Sequence, residues 1–339
     1  MVTANAADRL IQHYVDNYRR LPWRAAPGEA PSDPYRVWLS EVMLQQTTVT
    51  AVTPRFERFA ERWPTVEALA AASDEDILSE WAGLGYYARA RNLIACAREV
   101  VRRGAFPASA AELRELPGVG AYTSAAIAAI AFGQSAPAVD TNVERVVARL
   151  HGLRLPRRSE IERIVMAMMP AARPGDFVQA MMDLGATICR SRKPRCGKCP
   201  LRSDCAAFAS GDPEAFPQRK ARAERPHRYG VAWWTERDGA VWLVRRPARG
   251  LLGGMAALPG NDWIGQDERP RSAIGTVRHV FTHFSLDLAI VPRSEPIGNG
   301  WWQPLSKLAD AGLPTLYRRA VTQVLEGRSA PLEDALNAP

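Results

Sequence analysis

Four of the chain's five cysteines crowd into seventeen residues, Cys189, Cys196, Cys199 and Cys205, at a spacing of Cys-x6-Cys-x2-Cys-x5-Cys. A segment this short with four thiols must either oxidise or close around a metal centre, so it constrains the local fold more than any other feature of the sequence. Residues 1–15 lack the basic stretch, apolar core and cleavage site of a secretory signal, so a cytoplasmic, reducing setting is expected and disulfides are not. Two metal readings remain. Structural zinc usually sits between two short Cys-x-x-Cys knuckles, whereas an iron-sulfur cube accepts four thiolates at less regular spacing, which favours the cube here. Cys96 lies on an apolar helical face and reads as a small core residue.

The same loop carries Arg190, Arg192, Lys193, Arg195, Lys198 and Arg202, with no acid before Asp204. Such a run is either a solvated charged loop or a set of phosphate contacts, and the whole-chain balance supports the second reading. Lys plus Arg number 44 against 36 for Asp plus Glu, a formal net charge of +8 that favours a polyanionic partner. Lysine itself is scarce: Lys193, Lys198, Lys220 and Lys307 are the complete set, so residues 1–192 contain none. No apolar run reaches the ~18 residues of a membrane span.

The length calls for two domains. Residues 1–205 read as short helices with Ala and Leu at helical spacing, punctuated by caps at Asp33-Pro34 and Ser73-Asp74. Residues 206–227 lose apolar periodicity and gather Pro, Gly and charge, the composition of a linker. Beyond them, residues 228–339 are expected to be α+β. Runs at 230–234 and 240–244 flank Arg237-Asp238-Gly239 as a hairpin, strands are expected at 274–281 and 284–291, and a closing helix at 316–325.

Three further constellations carry chemistry. Leu116-Pro117-Gly118-Val119-Gly120 precedes an Ala-rich helix, together spanning 116–130, so Gly118 and Gly120 form either a tight turn between core helices or a backbone phosphate site at a helix N-terminus. Twenty residues past Gly120, Asp140 in Val139-Asp140-Thr141-Asn142 has the position of an N-cap. In the segment from Asp33 to Thr47, Glu41 shares a helical face with Val37, Trp38 and Leu44; a carboxyl on such a stripe is desolvated and holds a proton near neutrality. Gln45, Gln46 and Thr47 follow it, and the amide pair offers donors and acceptors for base edges. Finally, Gly83-Leu84-Gly85-Tyr86-Tyr87-Ala88-Arg89 places Leu84 and Tyr86 between glycines ahead of arginine, which is either a core aromatic turn or an apolar wedge that unstacks a duplex.

Taken together, the glycine hairpin, the downstream Asp140 and the four-cysteine loop resemble the helix-hairpin-helix DNA glycosylases that carry an iron-sulfur cluster, over about residues 8–205. Leu21-Pro22-Trp23-Arg24, Ser40 to Thr47 and Gly83 to Asn92 resemble more specifically the MutY-type adenine DNA glycosylases. That resemblance implies an all-α glycosylase domain with a 4Fe-4S cluster on Cys189, Cys196, Cys199 and Cys205. It implies a substrate of duplex DNA with adenine opposite 8-oxoguanine or guanine, no membrane partner, and a monomer. It implies catalysis by Glu41 and Asp140 with Tyr122 and Asn142 in support, Gln45, Leu84 and Tyr86 filling or wedging the duplex, and Arg24 near the flipped nucleotide. Bifunctional relatives use a hairpin lysine where this sequence has Tyr122, so a monofunctional enzyme is expected.

Residues 228–339 resemble the Nudix-like domain of that family through Gly250 to Met255 and Phe281-Thr282-His283. No Arg-Glu-x-x-Glu-Glu box follows Gly260, so a recognition module is expected here and not a second hydrolase, and the resemblance of Phe281-Thr282-His283 implies contact with 8-oxoguanine. Thr282 stands where the family usually has serine, keeping the hydroxyl and adding a methyl.

Overall fold

The computed structural model describes residues 5–218, 225–247, 250–261, 263, 270, 272–281 and 283–329. They fall into two compact units, one drawn from residues 1–74 and 91–221, the other from 75–90 and 222–339. The helices are α1 (Ala6–Asn17), α2 (Pro34–Leu44), α3 (Val49–Arg62), α4 (Val66–Ala71), α5 (Asp74–Glu80), α6 (Ala88–Arg103), α7 (Ala110–Leu113), α8 (Ala121–Phe132), α9 (Thr141–His151), α10 (Arg158–Met168), α11 (Pro174–Asp183), α12 (Ala206–Ala209) and α13 (Thr315–Ser329). The strands are β1 (His227–Trp234), β2 (Glu236–Arg237), β3 (Ala240–Arg245), β4 (Ala256–Ala257), β5 (Gly275–Val280), β6 (Ser285–Pro292) and β7 (Gly300–Pro304). No helix among the described residues is long and apolar enough to cross a membrane.

In the first unit the starts of the helices obey local chemistry. Asp33 accepts from the N–H groups of Tyr35 and Arg36 with Pro34 at the first helical position, so α2 begins where a side chain and a fixed φ both favour it. Thr48 caps α3 and Asp140 caps α9 in the same way. The Ala-rich α8 is buried from Thr123 to Ala129, the signature of a central helix, and α2, α7 and α11 pack around it. A second apolar cluster joins Leu10 and Tyr14 of α1, Val143 and Val147 of α9, Ile161 and Val165 of α10 and Phe177 of α11.

After α11 the chain winds one π-helical turn, Leu184–Ile188, closed by Cys189 N–H donating to the Leu184 carbonyl at 2.7 Å. Gly185 sits in this turn because a Cβ there would lie 2.6 Å from the Asn142 Cβ. The following segment is more ordered than its linker composition suggests. Asp212 caps a short 3-10 turn, the Phe216 carbonyl accepts from Arg149 Nε at 3.0 Å, and Gln218 N–H donates to the Arg154 carbonyl at 2.7 Å, so residues 206–218 are folded onto the helical unit.

In the second unit the hairpin at Asp238-Gly239 forms, with both residues at positive φ, but its first arm is not the one expected. The chain leaves one sheet at Thr235, so β3 pairs with the short β2 and, along its length, with β7, while β1 runs parallel to β6 in a sheet of order β1-β6-β5. Alternating burial along β1 specifies a strand and leaves its partner open, and parallel partners are necessarily remote in sequence. The closing helix α13 buries Leu316, Tyr317, Ala320 and Val324 against both sheets' core. Residues 75–90, helical-domain sequence by composition, group with this unit, and an ion pair of 3.0 Å joins Arg245 to Glu75.

Candidate active site

A cavity of about 810 Å³ opens in the helical unit between the end of α2, the start of α8, the start of α9 and the end of α11. Glu41, Tyr122, Asp140, Asn142, Arg24, Gln45, Gln46 and Thr47 all line it, so residues spread in sequence from 24 to 142 meet around one cavity. Glu41 is buried, at 7% exposure, because α2 is sunk from Tyr35 to Met43. Desolvation pushes its carboxyl up to about 7, while the Tyr122 hydroxyl and the Arg24 guanidinium pull it down and the Asp140 charge pushes it up. A carboxyl balanced there carries a proton over much of the neutral range. Tyr122 is itself held protonated, its phenol raised well above the ordinary range by burial and by the Glu41 and Asp140 charges.

Asp140 is built differently. Its Oδ1 accepts from the N–H groups of Asn142 at 2.9 Å and Val143 at 2.7 Å, and its Oδ2 from Asn142 Nδ2 at 2.8 Å. Three donors at a helix N-terminus fix an acceptor-only carboxylate with no freedom to swing. Asn142 Oδ1 in turn accepts from Arg145 Nη2 at 2.8 Å, and Arg145 reaches the Gly185 carbonyl at 2.8 Å and the Cys189 carbonyl at 2.8 Å. A continuous hydrogen-bonded path therefore runs from Asp140 to the first cysteine of the loop. Arg145, Arg149 and Asp183 are residues that sequence reasoning missed: a charged side chain on an amphipathic helix gives no sign in sequence of which way it turns.

Gln45 ends α2 and Gln46 takes a φ of 56°, leaving Gln46 exposed at the cavity mouth. In the hairpin, Gly118 and Gly120 differ. Gly118 has φ 74° and a Cβ there would meet the Asn92 Cβ at 2.6 Å, so glycine is required on both counts. Gly120 has an ordinary φ of −90° and open space around it, and as the N-cap of α8 it leaves the first N–H groups of the helix uncovered by any side chain.

The turn before α6 separates its two expected wedges. Leu84 is buried at 5% exposure, whereas Tyr86 is exposed at 48% and takes a φ of 48°. Arg89 donates to the Leu84 carbonyl at 3.0 Å and lies over the Trp81 and Tyr86 rings, so the turn is held from beneath and presents Tyr86 alone. In the second unit Phe281 is stacked on Trp263 and packed on His279 and Phe284, an anchor more than a contact, while His283 is exposed. Thr282 lies outside the described residues.

The cysteines line one small cavity together with Arg149, Ile188, Pro194 and Phe208. Burial raises the Cys199 thiol to about 11 and also lifts Cys196 and Cys205, so as free groups these thiols would stay protonated; a cationic centre reverses that. Among the described residues no three His, Cys, Asp or Glu side chains are grouped closely enough for one ion. Four thiols around one small cavity are a donor set of the kind that holds a metal centre. The loop is strapped by Arg149, buried at 2% exposure, which donates to the carbonyls of Arg190, Ser191 and Phe216 and lies 3.4 Å from the Cys189 sulfur. Its outer face leaves Arg192, Lys193, Arg195, Lys198 and Arg202 exposed.

A glycine hairpin leading into a buried helix, with a capping aspartate at the start of the next helix, defines a helix-hairpin-helix DNA repair protein. Residues 39–171 match the family of HhH-GPD superfamily base excision DNA repair proteins, and residues 230–323 match the NUDIX domain. The chain is 34% identical to the adenine DNA glycosylase of Homo sapiens over 82% of its own length and 64% of that protein, and 32% identical to that of Mus musculus over 91% and 76%. The helical part superposes on a trapped endonuclease III–DNA covalent intermediate with a TM-score of 0.53 and 27% identity, covering 62% of this chain and 99% of that one. The chain belongs to the adenine DNA glycosylase family.

Proposed function

We propose that the protein is a monofunctional DNA glycosylase of base excision repair that hydrolyses the N-glycosidic bond of adenine paired with 8-oxoguanine or guanine. The observation that carries this is the pair of unlike carboxyl groups lining one cavity: Glu41, buried and raised to about 7, and Asp140, pinned by three donors. Two carboxyls in contrasting environments are what acid-assisted departure of a base from a sugar requires. With the adenine turned out of the duplex into the cavity, Glu41 gives its proton to N7, the C1′–N9 electron pair leaves with the base, and Asp140 stabilises the cationic sugar. Water then adds at C1′ and its proton passes to the Glu41 carboxylate, restoring the acid. Tyr122 supports Glu41, and Asn142 holds Asp140.

A neutral phenol at Tyr122 and the absence of lysine from the cavity lining leave no side-chain amine placed to form a Schiff base there, so strand cleavage is not part of the reaction. Gln45, Gln46, Tyr86 and Arg24 serve the duplex and the extruded nucleotide, and Gly118 with Gly120 offers backbone donors to phosphate. Leu84 contributes by supporting the turn beneath Tyr86. By the resemblance, the segment Phe281-Thr282-His283 recognises the opposite base, with Phe281 as its packed anchor and His283 exposed.

The deciding measurement is single-turnover release of adenine from duplexes with adenine opposite 8-oxoguanine, guanine or thymine, before and after alkali. Release from the first two with strand breaks only after alkali is expected; no release, or breaks without alkali, refutes the assignment.

We propose further that Cys189, Cys196, Cys199 and Cys205 hold a 4Fe-4S cluster, which when bound supplies the positive charge that keeps the thiolates ionised. Replacing Cys199 with alanine is expected to remove iron and acid-labile sulfide, about four of each per chain in the parent protein. Duplex affinity is expected to fall with them, since the exposed cations ride on this loop. Elemental analysis that finds one zinc in the parent decides for the other metal reading.

A further inference from the structure

Asp183, at the C-terminal end of α11, lies on the wall of the catalytic cavity without a part in the proton transfer just described. It grips Arg24 through two hydrogen bonds, Nη1 to Oδ2 at 2.6 Å and Nη2 to Oδ1 at 3.0 Å, a fork-to-fork pair with side chains only 8% and 13% exposed. Arg19 stands 3.6 Å from the same carboxylate. Arg24 also feels the Glu41 charge and lines the same cavity with it, and its hydrogen-bonded carboxyl partner is Asp183.

The tie matters because the alternative is harmful. A guanidinium in the same bidentate geometry on Glu41 would stabilise the ionised form and leave no proton to donate. We propose that Asp183 is a positioning residue for the proton donor: its bidentate hold on Arg24 keeps the guanidinium from closing on Glu41. The inference rests on the reading of Glu41 as the acid. Its distinct content is that an ion pair outside the reacting atoms sets the pH range of the reaction.

The charged and titratable groups around this pair come from every wall. Tyr14 of α1 faces Arg24 and Asp183, with a hydroxyl that is buried, has no hydrogen-bond partner among the described residues, and is raised to about 12 by desolvation. Asp176 of α11 and Tyr18 also act on Tyr14, while Tyr122 at the start of α8 and Asp140 at the start of α9 act on Glu41. Tyr122 and Arg24 favour the charged form of Glu41, and Asp140 favours the neutral form. Removing the Asp183 charge subtracts an anion and releases Arg24. Both changes lower the proton affinity of Glu41.

Two readouts test this on the full-length protein. In single-turnover pH–rate profiles with adenine opposite 8-oxoguanine, Asp183→Asn is expected to move the alkaline limb acidward by about one pH unit, so that the rate is about tenfold lower at pH 8 and only about halved at pH 6. Adding Arg24→Gln to Asp183→Asn should return the limb to at least its parental position, whatever the amplitude, because no guanidinium remains to close on Glu41. Asp183→Glu, which keeps the charge, should leave the limb nearer the parent's and serves where the asparagine variant folds poorly. A loss of the same proportion at every pH, or an unmoved limb in Asp183→Asn, overturns the proposal. The second readout is independent of activity: the Glu41 carboxyl carbon, assigned by its absence in Glu41→Gln, is followed by NMR titration of the free protein. Its midpoint should fall in Asp183→Asn and recover in the double variant; a midpoint that stays put refutes the proposal even if adenine proves not to be the substrate. Failure of adenine release with a shifted midpoint instead indicts the catalytic reading alone.

Discussion

Glu41→Gln is expected to lower single-turnover adenine release by about 10²- to 10⁴-fold, the range spanned by loss of a positioned general acid. The same substitution is expected to stabilise the fold above neutral pH, and the sign follows from the shift. Burial raises the folded-state carboxyl from an ordinary 4.5 to about 7, so the folded protein holds a proton that the unfolded chain has released. The neutral side chain is tolerated at no electrostatic cost below pH 4.5; from there the protein loses stability as pH rises through about 7, where Glu41 must ionise in its desolvated site. The full penalty is about 3 kcal/mol, and glutamine, which cannot ionise, escapes it. Denaturant melts at pH 5 and pH 8 should therefore show the variant and the parent nearly equal at the lower pH and the variant the more stable at the higher. A variant that is slow and also less stable at pH 8 would mean that Glu41 is held ionised by its neighbours and is not the acid.

How much of this site is legible in sequence depends on whether a residue's environment is local. Glu41 is legible because its burial is dictated by the helix it sits on: Val37, Trp38 and Leu44 share its stripe, and α2 is buried almost throughout. Asp140 is legible as a cap, since capping involves only the next three residues, and Gly118 because positive φ is a local demand. Asp183 and Arg145 are not, because their partners lie 159 and 44 residues away, at Arg24 and Cys189, and one-dimensional periodicity does not encode which way a long side chain turns. The same limit explains β1. Its alternation marks a half-buried strand, yet its partner β6 begins 58 positions later, and the nearer candidate β3 is left to β2 and β7. Leu84 and Tyr86 show the converse: both are apolar residues in a glycine-rich turn, and only the packing of Arg89 and Trp81 beneath the turn decides that one is buried and the other displayed.

Asp140 joins a local role to a remote one, and two substitutions separate them. Asp140→Asn removes the anion from the cavity, so the cationic sugar loses its stabilising charge and the rate is expected to fall by about 10²- to 10³-fold, the magnitude seen for loss of one preorganised electrostatic group. Asparagine is as good an N-cap as aspartate, and its Oδ1 can keep both backbone bonds to Asn142 and Val143. Its amide nitrogen, however, replaces the oxygen that accepts from Asn142 Nδ2, and Asn142 cannot flip to answer it because its Oδ1 is occupied by Arg145 Nη2. Two donors then face each other, at a cost of about 1 kcal/mol or somewhat more. Adding Asn142→Asp restores complementarity: the amide at 140 donates to the new carboxylate, which still accepts from Arg145. The double variant should thus regain most of the stability, measured by denaturant melts, yet remain slow, because the carboxylate now sits at the wrong position for the sugar. Recovery of rate together with stability would show that Asp140 acts only as a cap and a link toward the cysteine loop, and that the charge facing the sugar comes from elsewhere in the cavity.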